Sequence, residues 1–230
     1  MTNKKTKQNA DKLGNVEQAL SRSEQFIENN QKFLIYTIIA IVVIVLGYFG
    51  YNNYVYKPKS VEAAAAMFQA ERYFEQDSMN LALYGDGNNF GFLYIVDEYG
   101  NTPSGKLAKY YAGIAFLQIS DYDNAIKYLG SFSSKDNIFN GMAKCAIGDA
   151  YMQKGDTEMG VQYYMKAAKN YPEDSFNTPI YLMKAGLAYE ELGQYTKAAE
   201  VYKAIKTDYA QSREGRDIEK YISRAEFLSK

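Results

Sequence analysis

From Phe33 to Tyr56 the chain runs for 24 residues without a charge, between Lys32 and Lys57. Its centre reads Ile38-Ile39-Ala40-Ile41-Val42-Val43-Ile44-Val45-Leu46. About 20 apolar residues rising ~1.5 Å each span the hydrocarbon core of a bilayer. A core helix of a water-soluble domain carries a polar stripe, and this run has none. Phe33 and Tyr36 stand at one end; Tyr48, Phe49, Tyr51, Tyr54 and Tyr56 crowd the other, the pattern of an interfacial aromatic belt. The run predicts a single transmembrane helix over 33–56, in contact with lipid. A polar stretch of 32 residues precedes it, and Tyr51-Asn52-Asn53-Tyr54 follows where a cleavage site needs small residues. An uncleaved signal anchor fits better than a cleaved signal peptide.

Residues 1–32 form a polar, lysine-rich tail. Its first 15 residues are expected to be unstructured. Residues 16–31, with Val16, Leu20, Phe26 and Ile27, suit a short amphipathic helix. Two readings of it stand: a membrane-surface or partner contact, or a solvated tail whose charges orient the anchor. The tail carries six basic residues against four acidic ones. Close to the membrane the basic count ties, Arg22 and Lys32 against Lys57 and Lys59. The more distant lysines tip it toward an N-terminus inside. The expected location is therefore the inner (cytoplasmic) membrane, single-pass, with the N-terminus in the cytoplasm and the remainder in the periplasm. The opposite topology would make the remainder cytosolic.

About 170 residues follow the anchor, enough for one domain with a core of its own. The chain has no histidine, so it lacks the commonest general base and metal ligand. Its one cysteine, Cys145, supports neither a disulfide framework nor a cysteine-rich zinc site. A net charge of −1 offers no field for nucleic acid. No cofactor, metal, nucleic acid or small-molecule substrate is expected, and no paired acids converge in a foreseeable cleft, so the chain is not expected to be an enzyme. Gly85-Asp86-Gly87 reads as a turn, since it lacks the lysine and the longer glycine pattern of a phosphate loop. Cys145 reads as a small core residue, with no neighbour that would lower its pKa. The 23 tyrosines suit helix packing and protein interfaces.

Three segments align on Gly113, Gly148 and Gly186, spaced 35 and 38 residues apart. Each has an aromatic residue three positions on (Phe116, Tyr151, Tyr189). A turn follows at Ser120-Asp121, Gly155-Asp156 and Gly193-Gln194. Then come a small residue (Ala125, Gly160, Ala198) and a large one four later (Leu129, Tyr164, Tyr202). The small residue of the first helix admits a close crossing, the aromatic three residues on is expected to fill the gap between the helices, and the second helix presents its own small residue back toward the first. Each hairpin buries one face only, so neighbours must stack. The pattern resembles the tetratricopeptide repeat (TPR) family over roughly 104–210. It departs at the usual tryptophan position (Lys109, Lys144, Leu182) and has the closing proline once, at Pro172. The expected fold class is all-α: one transmembrane helix, then a right-handed TPR α-solenoid with a C-terminal capping helix. The divisions are 1–32 tail, 33–56 anchor, 57–101 degenerate first hairpin (helices over 59–79 and up to Tyr99, joined by a loop at 84–89), 102–210 three repeats and 211–230 cap. Thr102-Pro103 and Thr178-Pro179 each read as a cap residue followed by proline at the first helical position. Ile218, Tyr221, Ile222, Ala225 and Leu228 form the apolar stripe of the cap.

In TPR proteins the first helices of successive repeats line a concave groove. The resemblance places groove positions six and three residues before each glycine and one and four after it. These are Leu107, Tyr110, Ile114 and Leu117; Met142, Cys145, Asp149 and Met152; Ile180, Met183, Leu187 and Glu190. The lysine and asparagine that clamp a carboxylate in chaperone-binding TPR domains are absent. Either the groove takes an apolar peptide or helix, with its methionines adapting in shape, or the chain's own helices, 59–79 or the cap, cover it. The layout is similar to the YfgM-like ancillary subunits of the bacterial Sec translocon. That likeness implies a membrane-tethered adaptor or chaperone-like scaffold for other proteins, within a membrane protein complex. The alternative is a structural subunit of an envelope assembly or secretion complex.

Overall fold

The computed structural model describes residues 3–230, with side chains from residue 26 onward. It divides into two units, Met1–Lys57 and Pro58–Lys230.

The first unit is helix α1 (Asn3–Tyr51) and a π-helical turn, Asn52–Tyr56, closed by the Lys57 N–H on the Asn52 carbonyl. No proline interrupts the sequence before Pro58. The segment expected to be unstructured is helical from Asn3 on. Lysine, glutamine, alanine and leucine are good helix formers, and a chain continuing an existing helix has no nucleus to form. Val16 and Leu20, half of the expected amphipathic face, lie outside the residues whose side chains are described. Phe33, Ile38, Ile44, Tyr48 and Tyr54 are all exposed, so the apolar surface is bare all round. Among the described residues this is the one helix long and apolar enough to cross a membrane.

The second unit is helical throughout. Helix α2 (Lys57–Glu75) buries Ala63, Met67 and Ala70. It stops four residues short of the expected 79. Asp77 takes a left-handed φ of 54°, its N–H bonds the Phe74 carbonyl (3.1 Å), and the Ser78 N–H bonds that of Tyr73 (2.9 Å). This double closure ends a helix whichever residue supplies the left-handed turn. A separate helix, α3 (Met79–Tyr84), follows, and then α4 (Phe92–Tyr99). The loop between them is tied by Asp86, whose carboxylate accepts from the Asn88 and Asn89 amides and the Tyr73 hydroxyl. Those three donors hold its pKa far below the usual carboxylate range, Tyr73 contributing most.

Three hairpins then stack: α5 (Pro103–Gln118) with α6 (Tyr122–Gly130), α7 (Asn137–Gln153) with α8 (Thr157–Asn170), and α9 (Asn177–Glu191) with α10 (Tyr195–Asp208). Their turns share one left-handed residue, at Ser120, Gly155 and Gly193. The glycines that head the pattern sit where the helices cross. A Cβ added at Gly113 would come 2.5 Å from Leu129, at Gly148 2.7 Å from Tyr164, and at Gly186 2.2 Å from Tyr202. Of the aromatics three residues on, Phe116 is buried, while Tyr151 and Tyr189 are half-buried.

The core falls into three adjoining clusters. One gathers Met67, Leu83, Phe92, Ile95 and Phe116; the next Leu129, Ala143 and Ile147; the third holds Cys145 and runs on from Val161 to Ala225. Leu117 and Ile126 pack against both of the first two. Thr102 caps α5 as expected, accepting from the Gly105 amide at 3.0 Å. Thr178 does not cap α9. Asp174 accepts from the Phe176 and Asn177 amides, so the helix begins two residues earlier, at Asn177, and Thr178 donates to the Tyr171 carbonyl instead. The C-terminal cap breaks at Asp217 into α11 (Arg213–Arg216) and α12 (Ile218–Leu228). Ile218, Ile222 and Ala225 are buried on the third cluster; Leu228, expected on the same stripe, is exposed.

Candidate functional site

The twelve residues singled out from the repeat pattern lie on α5, α7 and α9, the first helices of the three hairpins. Cys145 alone among them is buried, at 7% exposure; Leu187 is 43% exposed, and the other ten are half-buried. Their undersides rest on the core: Leu107 and Leu117 on the first cluster, Tyr110 and Ile114 on the second, Met152 and Met183 on the third. The Tyr110 ring meets Phe132 at 5.4 Å and Phe139 at 6.2 Å, tying α5 to the following linker and to α7. The capping helix reaches one of the twelve. Arg224 donates to both oxygens of Glu190, at 2.6 and 3.3 Å.

Polar ties cross between neighbouring hairpins. Lys184 donates to both carboxylate oxygens of Asp149 at 2.7 and 2.8 Å; within the α7–α8 hairpin, Tyr164 donates to one of the same oxygens at 2.6 Å. Thr157 donates to Glu191 at 2.9 Å, and Lys154 pairs with Asp123. Lys184 and Tyr164 do not belong to the groove pattern, yet they decide the electrostatics of Asp149. Their signal was in the sequence: Asp149 and Lys184 lie 35 residues apart, and Glu190 and Arg224 lie 34 apart, one repeat length in each case. With both acids matched, no unbalanced charge stands among the twelve positions.

Burial pushes the Cys145 thiol up to about 12; the nearby Lys184 ammonium acts against this and Asp149 with it. A thiol so poised is protonated and unreactive at neutral pH. Burial likewise raises Tyr164, where donation to Asp149 adds to the shift, and Tyr181. The Tyr181 hydroxyl is buried without a partner. No group of three or more metal-ligating side chains converges among the described residues. Two open hollows, of about 390 and 330 Å³, lie beside inter-helix turns, near Met79 and Ile119 and near Lys197 and Leu228, away from the twelve residues.

Two family models described as tetratricopeptide repeat match the chain, at residues 143–174 and 181–212. They cover the second and third hairpins of the sequence pattern. Among solved structures, the chain resembles nearly identical TPR-like repeats assigned to a Podosopora anserina kinesin light chain. Identity is 14% and the TM-score 0.55, over 74% of this chain and 87% of that one. No curated protein matches the chain. The fold is thus a TPR-type helical solenoid, and the repeats mark the chain as a scaffold for protein–protein interaction.

Proposed function

We propose that this chain is a membrane-tethered TPR adaptor, a chaperone-like scaffold at the cell envelope that works beside the protein-export machinery. In this reading α1 crosses the inner membrane and the repeats stand in the periplasm. The half-open face of α5, α7 and α9 receives an apolar peptide or helix of another protein. One observation carries it. Leu107, Tyr110, Ile114, Met142, Met183 and Leu187 present apolar surface that the chain's own helices leave partly open, and the two acids among the twelve positions, Asp149 and Glu190, are each paired with a cation. Such a face gains by covering itself with an uncharged, apolar ligand. The bare apolar surface of 33–56 supports the tether, because water is a poor solvent for it and a bilayer a good one. Tethering raises the effective concentration near a membrane complex, so each contact can be weak.

The test is photo-crosslinking from Leu187→benzoylphenylalanine in the full-length protein in its native membrane. Crosslinks to translocon subunits or to newly exported chains, lost in Met183→Glu, support the reading. Crosslinks to one stoichiometric envelope complex instead favour a structural subunit. An impermeant thiol reagent that fails to label a cysteine engineered at Lys220 in intact cells overturns the periplasmic assignment.

A further inference from the structure

The charge of this chain is unevenly spread. Residues 58–101 hold two basic residues, Lys59 and Arg72, against seven acidic ones, a net charge of −5 in a chain of net −1. None of those acids forms an ion pair among the described residues; all five ion pairs lie beyond residue 120. Asp86 is used up in its loop, and Glu62 faces the Tyr99 hydroxyl at 3.5 Å. Glu71, Glu75, Asp77, Asp97 and Glu98 are left without a partner charge. The Glu71 carboxyl is raised by partial burial and then by the charge of Glu75, so like charges already crowd there.

The same stretch exposes large apolar side chains. On α2, Val61 is 70% and Phe68 63% exposed, on the face opposite Ala63, Met67 and Ala70. Beyond the loop, the Phe90 ring stacks on Tyr94 at 3.8 Å and 9°, and Tyr94 meets Tyr99 edge-on at 6.3 Å. The Tyr99 hydroxyl reaches Glu62 at 3.5 Å and so ties this aromatic row to α2. Asp97 and Glu98 stand three and four residues after Tyr94, and Glu71 and Glu75 three and seven after Phe68, so unpaired acids share the helix faces of the exposed rings. Single exposed apolar residues need no explanation, but a contiguous aromatic patch on a folded domain marks a contact surface.

We infer that this first-hairpin surface docks a second class of partner: a protein segment that carries lysine or arginine beside aliphatic side chains. Charge chooses among the occupants. A second copy of the chain would bring −5 against −5 across a self-complementary contact. An anionic lipid surface would be repelled in the same way. A cationic, aliphatic segment satisfies both features at once, its ammonium groups over Tyr94 and Phe90 and beside Asp97 and Glu98, its methyl groups on Val61 and Phe68. The surface is separate from the α5–α7–α9 face, which is uncharged in sum, so the two faces select different ligands.

The experiment uses the full-length chain in zwitterionic nanodiscs, with Tyr94→benzoylphenylalanine as the crosslinking site and Lys220→benzoylphenylalanine as the control site. The probe is a biotinylated 16-residue peptide of leucine and lysine at helical spacing. Comparison peptides replace every lysine by glutamate or every leucine by serine. Crosslinking from position 94 is expected with the Leu/Lys peptide alone, at least tenfold above both comparison peptides and above position 220. It should fall several-fold in 0.5 M NaCl and in Phe68→Ser and in Asp97→Asn/Glu98→Gln, none of which removes a buried group. Equal yield with the Leu/Glu peptide overturns the inference, and so does equal yield from position 220. Crosslinking of position 94 to a second copy, or to photoactivatable anionic lipid when that is included, assigns the surface to those occupants and overturns it too. The readout does not depend on what binds α5, α7 and α9, so it fails or succeeds apart from the proposal for that face.

Discussion

At the scale of single residues, three positions carry constraints that can be measured. Gly186 admits the Tyr202 ring where its helix crosses α10, and a Cβ would stand 2.2 Å from that ring. Tyr202 is buried and cannot swing out of the way. Gly186→Ala is expected to cost about 1–3 kcal/mol in urea unfolding, the usual range for overpacking. A loss under half a kcal/mol would mean that the helices slide apart freely. Ser120 is the opposite case. It sits in the left-handed turn position that glycine fills in the next two hairpins, at φ 64°. A side chain there costs roughly 1–2 kcal/mol, so Ser120→Gly is expected to stabilise by about 1 kcal/mol, the flexibility that glycine adds to the unfolded chain offsetting part of the gain. Tyr181 buries a hydroxyl with no acceptor. An unmade bond of this kind is costly to keep. Tyr181→Phe should therefore leave stability unchanged or raise it by up to about 1 kcal/mol, and a clear loss would reveal a partner for that hydroxyl.

At the scale of elements, what the sequence made legible was whatever recurs. The glycine, the turn and the large residue on the returning helix repeat three times, because each hairpin solves the same packing problem. The structure places all three crossings where the pattern put them. Thr102 was legible for the same kind of reason: an oxygen before a proline is a local signal. The hydroxyl both accepts from the Gly105 amide and donates to the Tyr99 carbonyl at 2.8 Å. Thr102→Ala is expected to cost about 1 kcal/mol, with thermal unfolding of the purified protein as the check. Elements set by non-repeating contacts were not legible. Asp174 captures two amides and moves the start of α9 ahead of Thr178. Asp77, a residue tolerated but not favoured in the left-handed region, ends α2 early. The face of α5, α7 and α9 was found through repeat register alone. Lys184 and Arg224, which neutralise it, needed the further step of comparing charges one repeat apart.

On the scale of the whole molecule, a stack in which each hairpin touches only its neighbours unfolds from its weakest part. Alkali shows which part that is. The largest upward shifts belong to Cys145, Tyr164, Tyr181 and Tyr202, all on α7–α10, and burial is the leading cause of each. An acid whose pKa is raised by folding keeps its proton in the folded chain after the unfolded chain has lost it. Between the unfolded and folded values the unfolded state then binds fewer protons, so stability falls as pH rises. For Cys145 that window opens near its ordinary thiol value of 9.0 and closes at about 12; for the three tyrosines it opens near 10.0. The second and third hairpins should therefore give way first above pH 9. Cys145, the single thiol of the chain, reports on them directly. After a jump from pH 8 to pH 10.5, its reaction with an iodoacetamide dye is expected to run ahead of the loss of helical circular dichroism. The rate should approach that of the unfolded thiol while the first hairpin is still helical. Labelling that follows the loss of helix step for step would show one cooperative unit. Fast labelling already at pH 8 would show that the thiol is not shut in by α7–α10, and that burial is not what holds its proton.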